Sequence, residues 1–148
     1  MWNKIAEMHE IDIMARTIYG EARGEYTRVD GGLSALIAVG NVIMNRVDQK
    51  SWFGRSIRDV CLKPYQFSCW NDTDVNRQKL INVTPSCSLY KECLAVAEAI
   101  SRYRYPDLTK GADHYYSVDL KVPPKWALSA KECVHIGKHR FFKLIVKK

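Results

Sequence analysis

Between Leu33 and Met44 the chain carries a nearly unbroken apolar run, Leu-Ser-Ala-Leu-Ile-Ala-Val-Gly-Asn-Val-Ile-Met. It falls short of the ~20 residues that a bilayer-spanning helix requires. It reads as a helix buried inside a folded domain. Leu33, Leu36, Ile37, Gly40, Ile43, Met44 and Val47 recur at three- and four-residue steps, which predicts a helix over Leu33–Asp48. Gly40 lies on the apolar stripe, so a second helix is expected to pack closely against it. The 148 residues contain no Pro/Gly/Ser linker and no internal repeat. That length suits one compact domain organised around the central helix.

The rest of the pattern supplies partners for that helix. Met14, Ala15, Ile18 and Ala22 form one stripe of a helix over Ile11–Ala22, and Gly31-Gly32 marks the loop that follows. Ser56 is positioned to cap a short helical turn through Val60. A further helix fits Ser88–Tyr103, with Leu89, Cys93, Val96, Ala97 and Ile100 facing inward, and it ends before Pro106. Ala112–Val118 and Cys133–Leu144 are rich in Tyr, Phe, Val and Ile, and Gly137-Lys138 offers a tight turn, so short antiparallel strands are expected there. The fold class is α+β, mainly helical, with a small antiparallel β-hairpin region.

Charge and cysteines narrow the function classes. Lys and Arg number 23 against 16 Asp and Glu, a formal net charge of +7. The basic residues are spread along the chain, with local density only in Lys138–Lys148. The surplus fits an anionic envelope polymer, nucleic acid or plain surface lysines. No DNA- or RNA-binding motif accompanies it, so no specific nucleic-acid partner is expected. The five cysteines (Cys61, Cys69, Cys87, Cys93, Cys133) cannot all pair within one molecule. The first residues lack the apolar core of a secretion signal, so reduced thiols and synthesis in the cytoplasm are expected. Cys133, His135 and His139 cluster, but their spacing matches no common zinc module. No metal and no cofactor are expected.

The segment Tyr19-Gly20-Glu21-Ala22-Arg23-Gly24-Glu25 carries the clearest chemistry. Glu21 falls at a helix C-terminus, where the macrodipole opposes a negative charge, and beside an apolar stripe. Both effects favour the neutral acid, the form a general acid needs for glycosidic cleavage. The alternative is a surface ion pair with Arg16 or Arg23.

Four ordered blocks resemble the spore-cortex-lytic type of bacterial cell wall hydrolase. They are Ala15-Arg16-Thr17-Ile18-Tyr19-Gly20-Glu21-Ala22-Arg23-Gly24-Glu25, Ala38-Val39-Gly40-Asn41-Val42-Ile43-Met44-Asn45-Arg46-Val47, Gln66-Phe67-Ser68-Cys69-Trp70, and Ile136-Gly137-Lys138-His139-Arg140-Phe141-Phe142. The resemblance covers about Ile11 to Phe142. It implies a lysozyme-like fold, cleavage of the MurNAc–GlcNAc β-1,4 bond of peptidoglycan, and Glu21 as the catalytic acid rather than an ion-pair member. The family is similar to lytic transglycosylases, in which one Glu first protonates the departing oxygen and then accepts a proton from the C6 hydroxyl. That route is expected here, with Glu25 supporting. A hydrolytic muramidase would need a second carboxylate, for which Glu25 and the loop residue Asp30 are the candidates.

The block Gln66-Phe67-Ser68-Cys69-Trp70 offers amide, hydroxyl and aromatic faces suited to an N-acetylated sugar, with Gln66, Phe67, Ser68 and Trp70 as candidate contacts. Phe67 and Trp70 serve equally well as core. Tyr115 and Tyr116 are further glycan candidates, and alternation on a strand sends one inward and the other outward. His139 is placed to hydrogen-bond substrate or orient Glu21, or to sit exposed on the hairpin. The stretch Tyr26–Gly32 is longer than the family pattern. A freestanding catalytic domain of this kind resembles a phage endolysin, made in the cytoplasm and reaching the wall after release. The expectation is a monomer acting on peptidoglycan glycan strands without membrane insertion.

Overall fold

The computed structural model describes residues 5, 8–22, 32–64, 66–102 and 105–144. Three long helices form the frame: α1 (Glu10–Ala22), α2 (Gly32–Gln49) and, after two short ones, α5 (Ser88–Ser101). The short helices are α3 (Ile57–Leu62) and α4 (Arg77–Asn82). Single 3-10 turns cover Ser68–Trp70 and Lys125–Ser129. The strands are β1 (His114–Ser117), β2 (Ala130–Ile136) and β3 (His139–Leu144), an antiparallel sheet in the order β1-β3-β2.

The helices are built from the apolar stripes read in the sequence. Ile13, Met14 and Ile18 of α1, Leu36, Val39 and Ile43 of α2, and Tyr90, Val96 and Ile100 of α5 interlock in one core. Gly40 makes the expected close approach. A Cβ there would lie 2.6 Å from Ile100 Cδ1, so α5 rests directly on the α2 backbone. Ser56 caps α3 as expected, its Oγ accepting the Asp59 N–H at 3.1 Å. The last long helix ends at Ser101, earlier than Tyr103, where the Arg102 N–H closes back onto Glu98 O at 3.3 Å. Helix α4 has no counterpart in the sequence reading, because six residues with only Leu80 and Ile81 buried are too few to display a period.

The segment leading into β1 is fastened to α2 by polar groups. Asn45 Nδ2 donates to Asp107 Oδ2 at 2.9 Å and to Ala112 O at 2.8 Å. Arg46 Nε donates to Asp113 O at 2.8 Å, and Gln49 Nε2 to Asp113 Oδ2 at 2.7 Å. A small apolar cluster of Ala38, Val42, Ala112 and Phe141 fills the space between. Gly137 adopts the left-handed φ of 60° that the tight turn from β2 to β3 demands. None of the five cysteines forms a disulfide. Among the described residues no helix is long and apolar enough to cross a membrane.

Candidate active site

Glu21 occupies the last turn of α1, half-buried, and each of its carboxylate oxygens meets a different donor. One donor exists because the residue before Glu21 is a glycine. A Cβ at Gly20 would lie 2.8 Å from both Cβ and Sγ of Cys69 and 2.9 Å from Leu80 Cδ2. With no side chain there, the Ser68–Trp70 turn settles onto α1, and the Cys69 N–H donates to Glu21 Oε2 at 3.4 Å. Trp70 locks the turn in place. Its Nε1 donates to Thr17 Oγ1 at 2.8 Å, and its carbonyl accepts from Arg77 Nε at 3.0 Å.

The second donor arrives from the sheet. The Tyr115 hydroxyl donates to Glu21 Oε1. Pairing of β1 with β3 sets Tyr115 opposite Phe141, and its ring packs against His139 at 4.8 Å and Phe141 at 5.4 Å. Burial, then the neighbouring Glu21 carboxylate, holds the Tyr115 phenol well above its ordinary value. It therefore remains a neutral donor across the working pH range. Burial and Glu21 likewise push the Cys69 thiol up, while burial pushes Cys61 up to about 12. Neither thiol is primed as a nucleophile.

Behind these groups sits Arg46, only 5% exposed. Its guanidinium packs on two rings, 4.6 Å from the Phe53 centroid and 4.9 Å from that of Phe67. One of its terminal nitrogens is buried without a hydrogen-bond partner among the described residues. Burial lowers its pKa, against the opposing pull of Tyr115, Asp113, Cys61 and Glu21.

The other sequence candidates divide. Arg16 is committed elsewhere: Nε meets Asp12 at 2.8 Å, and the carbonyls of Leu80, Ile81 and Val83 lie at 2.7, 3.0 and 2.9 Å. It does not form the ion pair that was the alternative reading of Glu21. Phe67 and Trp70 take their core reading, at 2% and 9% exposed, because one lies beneath Arg46 and the other is tied to Thr17. Neither ring is a flat surface open to a sugar. Gln66 is half-buried and Ser68 exposed, flanking them. Tyr116 faces away from Glu21, as alternation requires once Tyr115 turns toward it. It stacks on Phe142 at 5.4 Å and 15°, and its hydroxyl accepts from Arg140 at 3.0 Å. His139 is half-buried, and its ring packs against that of Tyr115. Arg23, Glu25, Asp30 and the stretch 26–31 lie outside the described residues. Gly20, the Cys69 N–H and Arg46 were not singled out by sequence. A glycine inside an otherwise helical pattern was the available signal for the first.

Over residues 32–142 the chain matches the cell wall hydrolase family. It is 32% identical to a spore cortex-lytic enzyme of Bacillus cereus over 135 residues, 91% of this chain and 44% of that protein. The spore cortex-lytic enzyme of Bacillus subtilis strain 168 is 29% identical over 133 residues, 90% of this chain and 37% of that protein. The chain thus spans less than half the length of the curated relatives it matches. Matches of this extent take in the segment around Glu21, which the family match does not reach. Among solved structures, the catalytic domain of the Bacillus cereus SleB protein superposes with a TM-score of 0.65 at 28% identity, covering 90% of this chain and 89% of that one. The catalytic domain of the germination-specific lytic transglycosylase SleB from Bacillus anthracis gives the same TM-score and identity, covering 90% and 93%. With three quarters of its length inside the family match and its helical frame and small sheet shared with these domains, the chain belongs to the cell wall hydrolase family.

Proposed function

We propose that this chain cleaves the MurNAc–GlcNAc β-1,4 bond of peptidoglycan as a lytic transglycosylase, with Glu21 as general acid and then general base. The observation that carries the reading is the double suspension of Glu21, from the Tyr115 hydroxyl on one oxygen and the Cys69 N–H on the other. One carboxyl held in a fixed orientation is what a two-stage proton transfer at a single glycosidic centre requires. In the first stage Glu21 gives its proton to the departing glycosidic oxygen, and the bond to C1 breaks. In the second it takes the proton of the C6 hydroxyl, whose oxygen closes on C1 to give a 1,6-anhydro ring without water. Two donors on the carboxylate stabilise the state between these stages. The relative described as a germination-specific lytic transglycosylase supports the same reaction class.

The net charge of +7 fits a polymer bearing anionic groups, and the chain would act at the wall after leaving the cytoplasm. Replacing Glu21 by Gln keeps the size and one of the two acceptor oxygens while removing the transferable proton. Purified Glu21→Gln is expected to melt as the wild type does and to clear purified sacculi about a thousandfold more slowly or not at all. Clearing at the wild-type rate by a folded Glu21→Gln protein would overturn the proposal.

A further inference from the structure

Arg46 is a buried cation on a helix whose other buried positions are apolar except for Asn41. One of its terminal nitrogens is buried with no acceptor among the described residues, a cost that an apolar residue of similar length would not incur. Its contacts lead to the Glu21 site from two directions. The Nε–H holds the carbonyl of Asp113 at 2.8 Å, two residues along the chain from Tyr115. The guanidinium face rests on the ring of Phe67 at 4.9 Å, two residues before Cys69. Tyr115 and Cys69 are the two donors to Glu21. The ring of Phe53 also packs on the guanidinium at 4.6 Å, and it meets the ring of His114 of β1 at 5.6 Å.

We infer that Arg46 is a positioning residue: one planar guanidinium grips the Asp113–Tyr115 strand with its edge and the Phe67–Cys69 turn with its face, and so fixes both hydrogen bonds to Glu21 at once. The inference rests on the proposed role of Glu21. A planar fork that donates along its edge and stacks on its face does both jobs simultaneously, and an ammonium does not. The charge has a second effect. The ionisable groups facing Arg46 are Tyr115 of β1, Asp113 just before that strand, Cys61 of α3 and Glu21 of α1, all drawn to it. It therefore places positive potential behind the carboxylate of Glu21 without a direct ion pair.

Arg46→Lys and Arg46→Met separate geometry from charge. On a soluble glycan substrate, both are expected to lower kcat about tenfold or more with KM within about twofold of wild type, since the loss lies in orientation rather than substrate binding. In Arg46→Met the basic limb of the pH–activity profile moves upward, because the catalytic carboxyl loses a neighbouring positive charge. In Arg46→Lys it stays in place. Wild-type kcat in Arg46→Lys overturns the inference, and so does a folded Arg46→Met protein whose pH profile is unmoved. Should Arg46→Met fail to fold, kcat of Arg46→Lys alone decides. A wild-type protein that leaves the glycan intact would overturn the reading of Glu21 itself. An active wild type with an unaffected Arg46→Lys overturns only the role of Arg46.

Discussion

The two ends of α1 carry the same pair of groups put to different uses. At its N-terminal end Asp12 accepts a hydrogen bond from the Tyr90 hydroxyl, and at its C-terminal end Glu21 accepts one from the Tyr115 hydroxyl. Asp12 is neutralised twice over. Arg16 meets it at 2.8 Å, and the positive end of the helix dipole lies beneath it. Arg16 in turn ties α1 to α4 through the carbonyls of Leu80, Ile81 and Val83. Glu21 has neither compensation among the described residues. The dipole opposes it, and its nearest buried cation, Arg46, stands behind the donors rather than against the carboxylate. A carboxylate paired directly with a cation is a structural element. Glu21 is held by neutral donors instead, which orient it without committing it to an ion pair among the described residues.

That contrast is broken most severely at Gly20. Alanine there drives a methyl group into Cys69 and Leu80, and the flexible part of the obstacle is only the Leu80 tip. Gly20→Ala is expected to lose about 1–3 kcal/mol of stability by chemical denaturation and about a hundredfold in activity, as the Cys69 N–H leaves Glu21. An active, fully stable Gly20→Ala protein would mean that the close turn does not matter to the site.

The tyrosines sharpen the contrast further. Tyr115→Phe removes a hydrogen bond to the reacting carboxylate, so kcat should drop about ten- to a hundredfold with little change in melting. Tyr90→Phe removes the matching bond at Asp12, and it should cost about 1–2 kcal/mol of stability while leaving kcat unchanged. Equal kinetic effects from the two substitutions would erase the distinction between the helix ends.

The smallest expected effect concerns the polar fastening of the sheet. Burial works against the charge of Asp113, but hydrogen bonds from His114, the Leu144 N–H and Gln49 outweigh it and hold its carboxyl below the usual 3.8. A carboxyl whose folded pKa is depressed adds stability above its unfolded value and loses it as pH falls through the folded one. Thermal melting should therefore be flat above about pH 5 and decline in stronger acid. Asp113→Asn should be about 1 kcal/mol less stable at neutral pH and decline less steeply with acid. A wild-type acid limb retained in Asp113→Asn would assign that limb to other carboxylates.

The helical frame was legible because α1, α2 and α5 are long enough to show their period, and Gly40 on the α2 stripe announced its close neighbour. Helix α4 and the two 3-10 turns were not, since elements of three to six residues leave no periodic trace. Within the site, Glu21 stood out through its motif, and alternation on β1 required one of Tyr115 and Tyr116 to turn away. Which one did depended on pairing with β3, a long-range register that local pattern does not encode. Phe67 and Trp70 were legible as aromatic but not as buried, because residue type does not say which face of a turn is covered. Arg46 was hidden by its company: on an apolar helix a single arginine reads as the solvent side, and only the folded sheet reveals that it is enclosed.

The central claim is that Glu21 performs both proton transfers without water entering the product. The most direct measurement is mass spectrometry of muropeptides released by the wild-type protein in heavy-oxygen water. The expected result is 1,6-anhydro-MurNAc ends carrying no label. Reducing MurNAc ends with one heavy oxygen each would contradict it and assign the reaction to hydrolysis with a second carboxylate.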